Sequence, residues 1–118
     1  MTEPFRPELL RGNLDLMILS VLCGEPKYGY LIQQSLREAS HGRVDPKAGT
    51  LYPLLHRPEA DGLILSRWEQ ETGRKRKWYE LTPKGKKKLQ AQANEWFELA
   101  GCLESLLKPI LKLSPEPS

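Results

Sequence analysis

From Leu9 to Cys23 apolar residues return at helical spacing. Leu10, Leu14, Met17, Ile18, Val21 and Leu22 mark one stripe, and Gly24 with Pro26 supplies a stop. A second helix is predicted over YGYLIQQSLREAS, where Leu31, Ile32, Ser35, Leu36 and Ala39 point inward while Gln33, Gln34, Arg37 and Glu38 face water. It ends before Gly42. Asp45 and Pro46 read as the N-cap and first-turn pair of a third helix, because a short carboxylate accepts orphan amides and proline costs nothing at the first helical position. This helix carries Leu51, Leu54 and Leu55 inward and is expected to end near Gly62. The period then changes. LILSRW and KWYELT read as short strands joined by the polar turn EQETGRKR around Gly73, which predicts a two-stranded hairpin. Three helices followed by a β-hairpin make a winged helix-turn-helix, a mainly α fold.

The last element starts with Thr82 as N-cap and Pro83 in the first turn, and is expected to run to about residue 108. Leu89, Trp96, Leu103 and Ile110 fall seven apart, and Ala93, Ala100 and Leu107 fall four after the first three, a seam of a and d positions. Leu99 and Leu106 widen the seam beyond what a lone surface helix needs, which favours packing on a partner helix. The alternative is that the stripe docks on its own domain. The chain thus divides into a winged helix-turn-helix over 9–82 and a dimerisation helix over 83–110. The Pro-rich stretches 1–8 and 111–118 are expected to be flexible tails.

With 118 residues, 39% of them hydrophobic and 28% charged, the chain has the make-up of one folded domain with a modest core, which oligomerisation would supplement. Cys23 and Cys102 sit in apolar helical patterns and are expected to be reduced and at or near the core. No apolar run is long enough to cross a bilayer, and MTEPFRPELL lacks the succession of a secretory signal, so a cytoplasmic address is expected.

The net charge of +3 hides a polarised distribution. Arg74, Lys75, Arg76 and Lys77 form one block and Lys84, Lys86, Lys87 and Lys88 another, whereas the acidic residues are spread elsewhere. A basic face beside a compact helical unit attracts a phosphate backbone, which makes double-stranded DNA the expected partner. The first block alternates along a strand, so only half of it can face DNA at once. The second lies in the first turns of a helix, where positive charge opposes the helix dipole.

The segments GNLDLMILSVLCGEPKYGYLI, AGTLYPLLHRPEADGLI and GRKRKWYELTPKGKKKL resemble the PadR family of bacterial transcriptional regulators, over about Leu10 to Leu107. The single short C-terminal helix resembles the smaller subfamily, which includes LmrR-type repressors. The resemblance implies a homodimeric, ligand-responsive repressor on a palindromic operator. It makes the third helix the recognition helix, where Lys47, Thr50, Tyr52, His56 and Arg57 are the candidate DNA contacts, with Thr50 and Lys47 near its first turn. Tyr52 resembles the tyrosine of the family's GTLYP motif; its alternative is a partly buried packing aromatic. Tyr28, Gly29 and Tyr30 resemble the motif opening the family's second helix, with Tyr28 a further phosphate contact and Tyr30 equally suited to the core. Gly49 is costly in a helix unless DNA or a neighbouring helix approaches closely. Arg74, Lys75, Arg76 and Lys77 complete the expected DNA-binding set as the wing. Pro58 departs from the family's pattern, and a kink or an end near Arg57 is expected there.

Leu89, Ala93, Trp96, Ala100, Leu103, Leu107 and Ile110 are the expected dimer interface. Trp96 is central on that seam and Phe97 follows it. Two symmetry-related indoles could sandwich a planar aromatic molecule, or close a dry interface. No metal or catalytic spacing accompanies His41, His56 or the cysteines, so no cofactor and no enzyme activity are expected. The resulting reading is a repressor relieved by a small aromatic or hydrophobic effector. Its alternative is a dimeric ligand-binding module that has lost specific DNA reading.

Overall fold

The computed structural model describes residues 3–71 and 73–113. Its elements are α1 (Pro7–Leu10), α2 (Leu14–Val21), β1 (Lys27–Tyr28), α3 (Gly29–Ala39), α4 (Ala48–Ala60), β2 (Ile64–Glu71), β3 (Arg74–Leu81) and α5 (Pro83–Leu111). Helices α2, α3 and α4 enclose the core with the base of the β2–β3 hairpin. Ile18, Leu22, Ile32, Leu51, Leu55 and Ile64 are fully buried there, joined by Tyr79 from β3. This is the winged helix-turn-helix expected from the periodicity.

Several boundaries differ, each for a local reason. The first helix is two. Gly12 takes a left-handed φ of 84°, and Asn13 Nδ2 donates to the Leu9 carbonyl at 3.0 Å, so the chain turns between α1 and α2. Residues 5–8, expected within a tail, are held down: the Phe5 amide donates to the Arg43 carbonyl (3.1 Å), and the Arg43 guanidinium lies 3.8 Å from the Phe5 ring centre. Of the two expected tails, residues 1–2 and 114–118 lie outside the described residues. The hairpin is part of a three-stranded antiparallel sheet of order β1-β3-β2, with Lys27 opposite Tyr79 and Tyr28 opposite Trp78. Cys23 and Cys102 are free, as expected, but exposed rather than near the core. Tyr30, which could have been core, is also exposed.

Helix α4 begins two residues later than expected, with Lys47 rather than Asp45 at its N-cap. It runs through Pro58 to Ala60 and stops next to Gly62, as the leucine stripe predicts, so that of the two outcomes expected at Pro58, a kink or an end near Arg57, the early end does not occur. The stop is a Schellman turn: the Leu63 amide donates to the Pro58 carbonyl (2.8 Å) and the Gly62 amide to that of Glu59 (3.1 Å), with Gly62 left-handed at φ 75°. Pro58 and Leu63 are both buried, and this burial offsets the hydrogen bond that Pro58 cannot donate.

That turn also receives the long helix. Thr82 caps α5 by accepting from the Gly85 amide at 2.9 Å, and its own amide donates to the Leu63 carbonyl at 3.0 Å. A Cβ on Gly85 would collide with the Leu63 carbonyl oxygen and lie 2.9 Å from Leu81 Cδ1. Helix α5 therefore starts pressed against the backbone that ends α4. Its first turns pack on α2 and β3, and the rest projects, giving extents of 65 × 33 × 21 Å.

Candidate nucleic-acid interface

The face that α4 turns to solvent follows from its buried one. Leu51, Leu55 and Pro58 are inside, which leaves Gly49, Thr50, Tyr52, Pro53, His56, Arg57 and Ala60 exposed around the opposite side. Lys47 stands exposed at the N-cap and pairs with Asp45 at 3.2 Å. Asp45 does not cap α4; its other carboxylate oxygen accepts from the Gln33 amide at 3.0 Å, which ties the loop before α4 to α3. The Gln33 hydrogen bond, and after it Lys47, hold the Asp45 carboxyl below its ordinary value of 3.8 against the partial burial that opposes them. Arg57 is exposed, with Asp61 at 4.0 Å. Tyr52 extends over the start of α3, where a Cβ on Gly29 would overlap its hydroxyl. The glycine of the α3 opening is thus the space that Tyr52 occupies. Nothing lies within 4 Å of a Cβ built on Gly49, so no neighbouring helix accounts for that residue.

The wing has two unlike faces. In the β2–β3 register Glu69 faces Arg76, Gln70 faces Lys75, Glu71 faces Arg74 and Trp68 faces Lys77. Because side chains alternate, Arg74 and Arg76 share their face with Glu69 and Glu71, and these four line one small cleft. Lys75 and Lys77 are on the other face, their ammonium nitrogens 5.7 and 5.8 Å from the centre of the Trp68 ring. Glu59, in the last turn of α4, accepts from the Ser66 hydroxyl and stands 3.8 Å from Lys77 Nζ, so both wing strands are held to α4.

Between α4 and the wing opens a cleft of about 460 Å³ whose walls include Tyr28, Tyr52, His56, Trp68, Lys75, Arg76 and Lys77. Six of the ten expected DNA contacts thus meet in one place. Tyr28 is half-buried, edge-on to Trp78 at 4.9 Å and 4.6 Å beneath the Arg76 guanidinium. Lys47, Thr50 and Arg57 lie elsewhere on the exposed side of α4, and Arg74 lies in the carboxylate-lined cleft. Tyrosine hydroxyls, an imidazole and cations around one cleft make donors for an anionic oxygen. Trp68 and Glu59 were not singled out from the sequence: a strand tryptophan reads as core, and the partner of Glu59 depends on tertiary packing. Of the second basic block, Lys84 is accounted for locally, since its ammonium donates to the Asp61 carbonyl at the end of α4 (2.9 Å).

Along α5 the seam splits. Leu89 and Ala93 lie half-buried beside α2, whereas Trp96, Leu103, Leu107 and Ile110 are exposed, as are Leu99 and Leu106. Ala100 is half-buried. Trp96 and Phe97 meet edge to face at 5.2 Å and wall an open apolar cavity of about 510 Å³ together with Phe5, Leu9 and Met17. Among the described residues no group of three or more His, Cys, Asp and Glu could hold a metal, and no helix is long and apolar enough to cross a membrane.

Residues 18–91 match the transcriptional regulator PadR-like family. A transcriptional regulator of Mycobacterium tuberculosis is 40% identical over 94 residues, 79% of this chain and 84% of that protein. A transcriptional regulator from Clostridium thermocellum superposes with a TM-score of 0.80 at 31% identity, covering 88% of this chain and 99% of the other. A PadR family regulator from Eggerthella lenta gives 0.75 at 39% identity, covering 86% and 87%. The family consists of DNA-binding regulators rather than enzymes. The chain belongs to the PadR-like family of transcriptional regulators.

Proposed function

We propose that this regulator is a homodimeric, sequence-specific repressor whose hold on a palindromic operator is relieved by a small planar aromatic or hydrophobic effector. The observation that carries the reading is the cleft in which the exposed face of α4 meets the wing cations, because phosphate neutralisation and groove contacts are then available from one surface. Residues 9–82 form the reading unit and 83–110 the dimerisation helix. Lys47, Thr50, His56 and Arg57 contact base edges and phosphates, Tyr28 and Tyr52 phosphates, and the wing the flanking backbone. The exposed leucines of α5, with Trp96, Ala100 and Ile110, pair with a second copy, alongside Leu89 and Ala93 at the base. The effector lies against Trp96 and Phe97, and its entry alters the angle between the two reading units in a cytoplasmic protein.

A second reading, a ligand-binding dimer that no longer reads DNA, draws on the middle of the exposed α4 face, where Gly49, Pro53 and Ala60 offer no donor to a base edge. One experiment separates the two. Fluorescence anisotropy against the duplex upstream of the protein's own gene and a shuffled control, across a salt series, is expected to show tight, steeply salt-dependent binding to the first. Equal, weak binding to both would favour the second reading.

A further inference from the structure

The wing's two faces differ in more than orientation. On one, Arg67, Arg74 and Arg76 are matched by Glu69, Glu71 and Glu80, as the strand register and alternation require, and Arg67 is paired to Glu69 at 3.3 Å. That face carries no net charge. On the other, Lys75 and Lys77 lie near Trp68, and their further neighbours on that face of β2 and β3 are the neutral Gln70, Ser66 and Tyr79. Glu59 approaches Lys77 alone, at 3.8 Å, and leaves Lys75 without an acidic neighbour within ion-pairing distance among the described residues. Trp68 is 63% exposed, an indole held open to water on the side of the hairpin that looks toward His56 and Tyr52 of α4. An exposed tryptophan with two ammonium groups 5.7 and 5.8 Å from its ring centre gives a flat apolar surface beside two cations, which matches a deoxyribose flanked by two phosphates.

We propose that the face formed by Lys75, Trp68 and Lys77, and not the arginine face, is the wing's contact with the DNA backbone: Trp68 packs on the sugar while Lys75 and Lys77 each neutralise a phosphate. The proposal rests on the DNA-binding reading above and refines it, because it assigns the wing's electrostatic work to two of its four tip cations and adds a residue to the interface. Arg74, beside Glu71 in the register, and Arg67, paired with Glu69, then offset carboxylates that would otherwise repel the duplex, while the Arg76 guanidinium rests over Tyr28.

The test uses the full chain and a fluorescein-labelled duplex of random sequence, titrated by anisotropy between about 50 and 200 mM salt, where each phosphate contact contributes about 0.9 to the slope of log affinity against log salt. K75Q/K77Q is expected to lower that slope by about 1.8 for each wing engaged, about 3.6 for a dimer with both wings on the duplex. The charge-neutral exchange E71Q/R74Q, whose residues lie outside the cleft between α4 and the wing, is expected to leave it unchanged, since equal numbers of opposite charges are removed. W68F is expected to abolish most of the DNA-induced quenching of tryptophan fluorescence, with Trp78 and Trp96 still present; thermal melts establish that each variant is folded. Loss of slope in E71Q/R74Q equal to that in K75Q/K77Q would overturn the assignment, as would quenching that survives in W68F. Should the wild-type protein show no salt-dependent binding to any duplex, the DNA-binding reading fails and this proposal falls with it. That result is distinct from a wild type that binds through the arginine face.

Discussion

Gly49 stands on the exposed face of α4, with open space where a side chain would be. As the second residue of α4 a glycine weakens the helix by at most about 0.5 kcal/mol relative to alanine, less than in a helix interior, and no packing within 4 Å requires it. Gly49→Ala is therefore expected to raise stability by about that amount in urea melts while weakening duplex affinity in anisotropy, because a methyl group would stand between α4 and the groove. Tyr79 gives a second expectation. Burial first, then Glu59 and Tyr52, raise its phenol above the ordinary 10.0. The unfolded chain ionises before the folded one, so this stabilisation is complete below pH 10.0 and is lost as pH rises through the folded-state value. Tyr79→Phe should flatten that alkaline decline when urea midpoints are followed upward from pH 10. The local sequence made the exposure of Tyr52, His56 and Arg57 legible, because α4 repeats its inward leucines. It misread Asp45, since an aspartate before Pro46 looks like a cap while its true partner, Gln33, comes from another helix.

Helix α4 and the wing behave as one element because Glu59 reaches both β2 and β3. Glu59→Ala removes a hydroxyl bond and an ion pair that are both half-shielded. It is expected to cost about 1–2 kcal/mol and to speed hydrogen exchange of the β2–β3 amides more than those of α3. At this level the periodic elements were readable and the short or interrupted ones were not. Strand β1 contains two residues, too few to show alternation, and its pairing with β3 is non-local. The break at Gly12 was hidden because apolar residues continue on both sides of it. Pro58 signalled an early end, yet the helix continues, since its ring is buried and its carbonyl receives the Leu63 amide. Burial outweighed the backbone rule.

The whole chain is longer than its size requires. Its radius of gyration is 17.6 Å, whereas a compact domain of this length has about 13.5 Å. The excess comes from α5, whose outer half shows Leu99, Leu103, Leu106, Leu107 and Ile110 to water. Leu103→Glu with Leu107→Glu is expected to convert a sedimenting dimer into a monomer and to abolish any dependence of Tm on protein concentration. The seven-residue repeat made this surface legible. The docking of Leu89 and Ala93 beside α2 follows the alternative weighed for the stripe, packing on its own domain, but only over the first turns of α5. Where α5 leaves the reading unit there is no slack: Thr82 is bonded to Leu63 and Gly85 is pressed on the same carbonyl. On the proposed palindromic operator, the proposed dimer, joined through such rigid roots, would act as a caliper, with the gap between its jaws set by the tilt of two rods. Lengthening the operator's centre by about half a helical turn, roughly 5 base pairs, would carry one half-site to the far side of the duplex, beyond one jaw's reach.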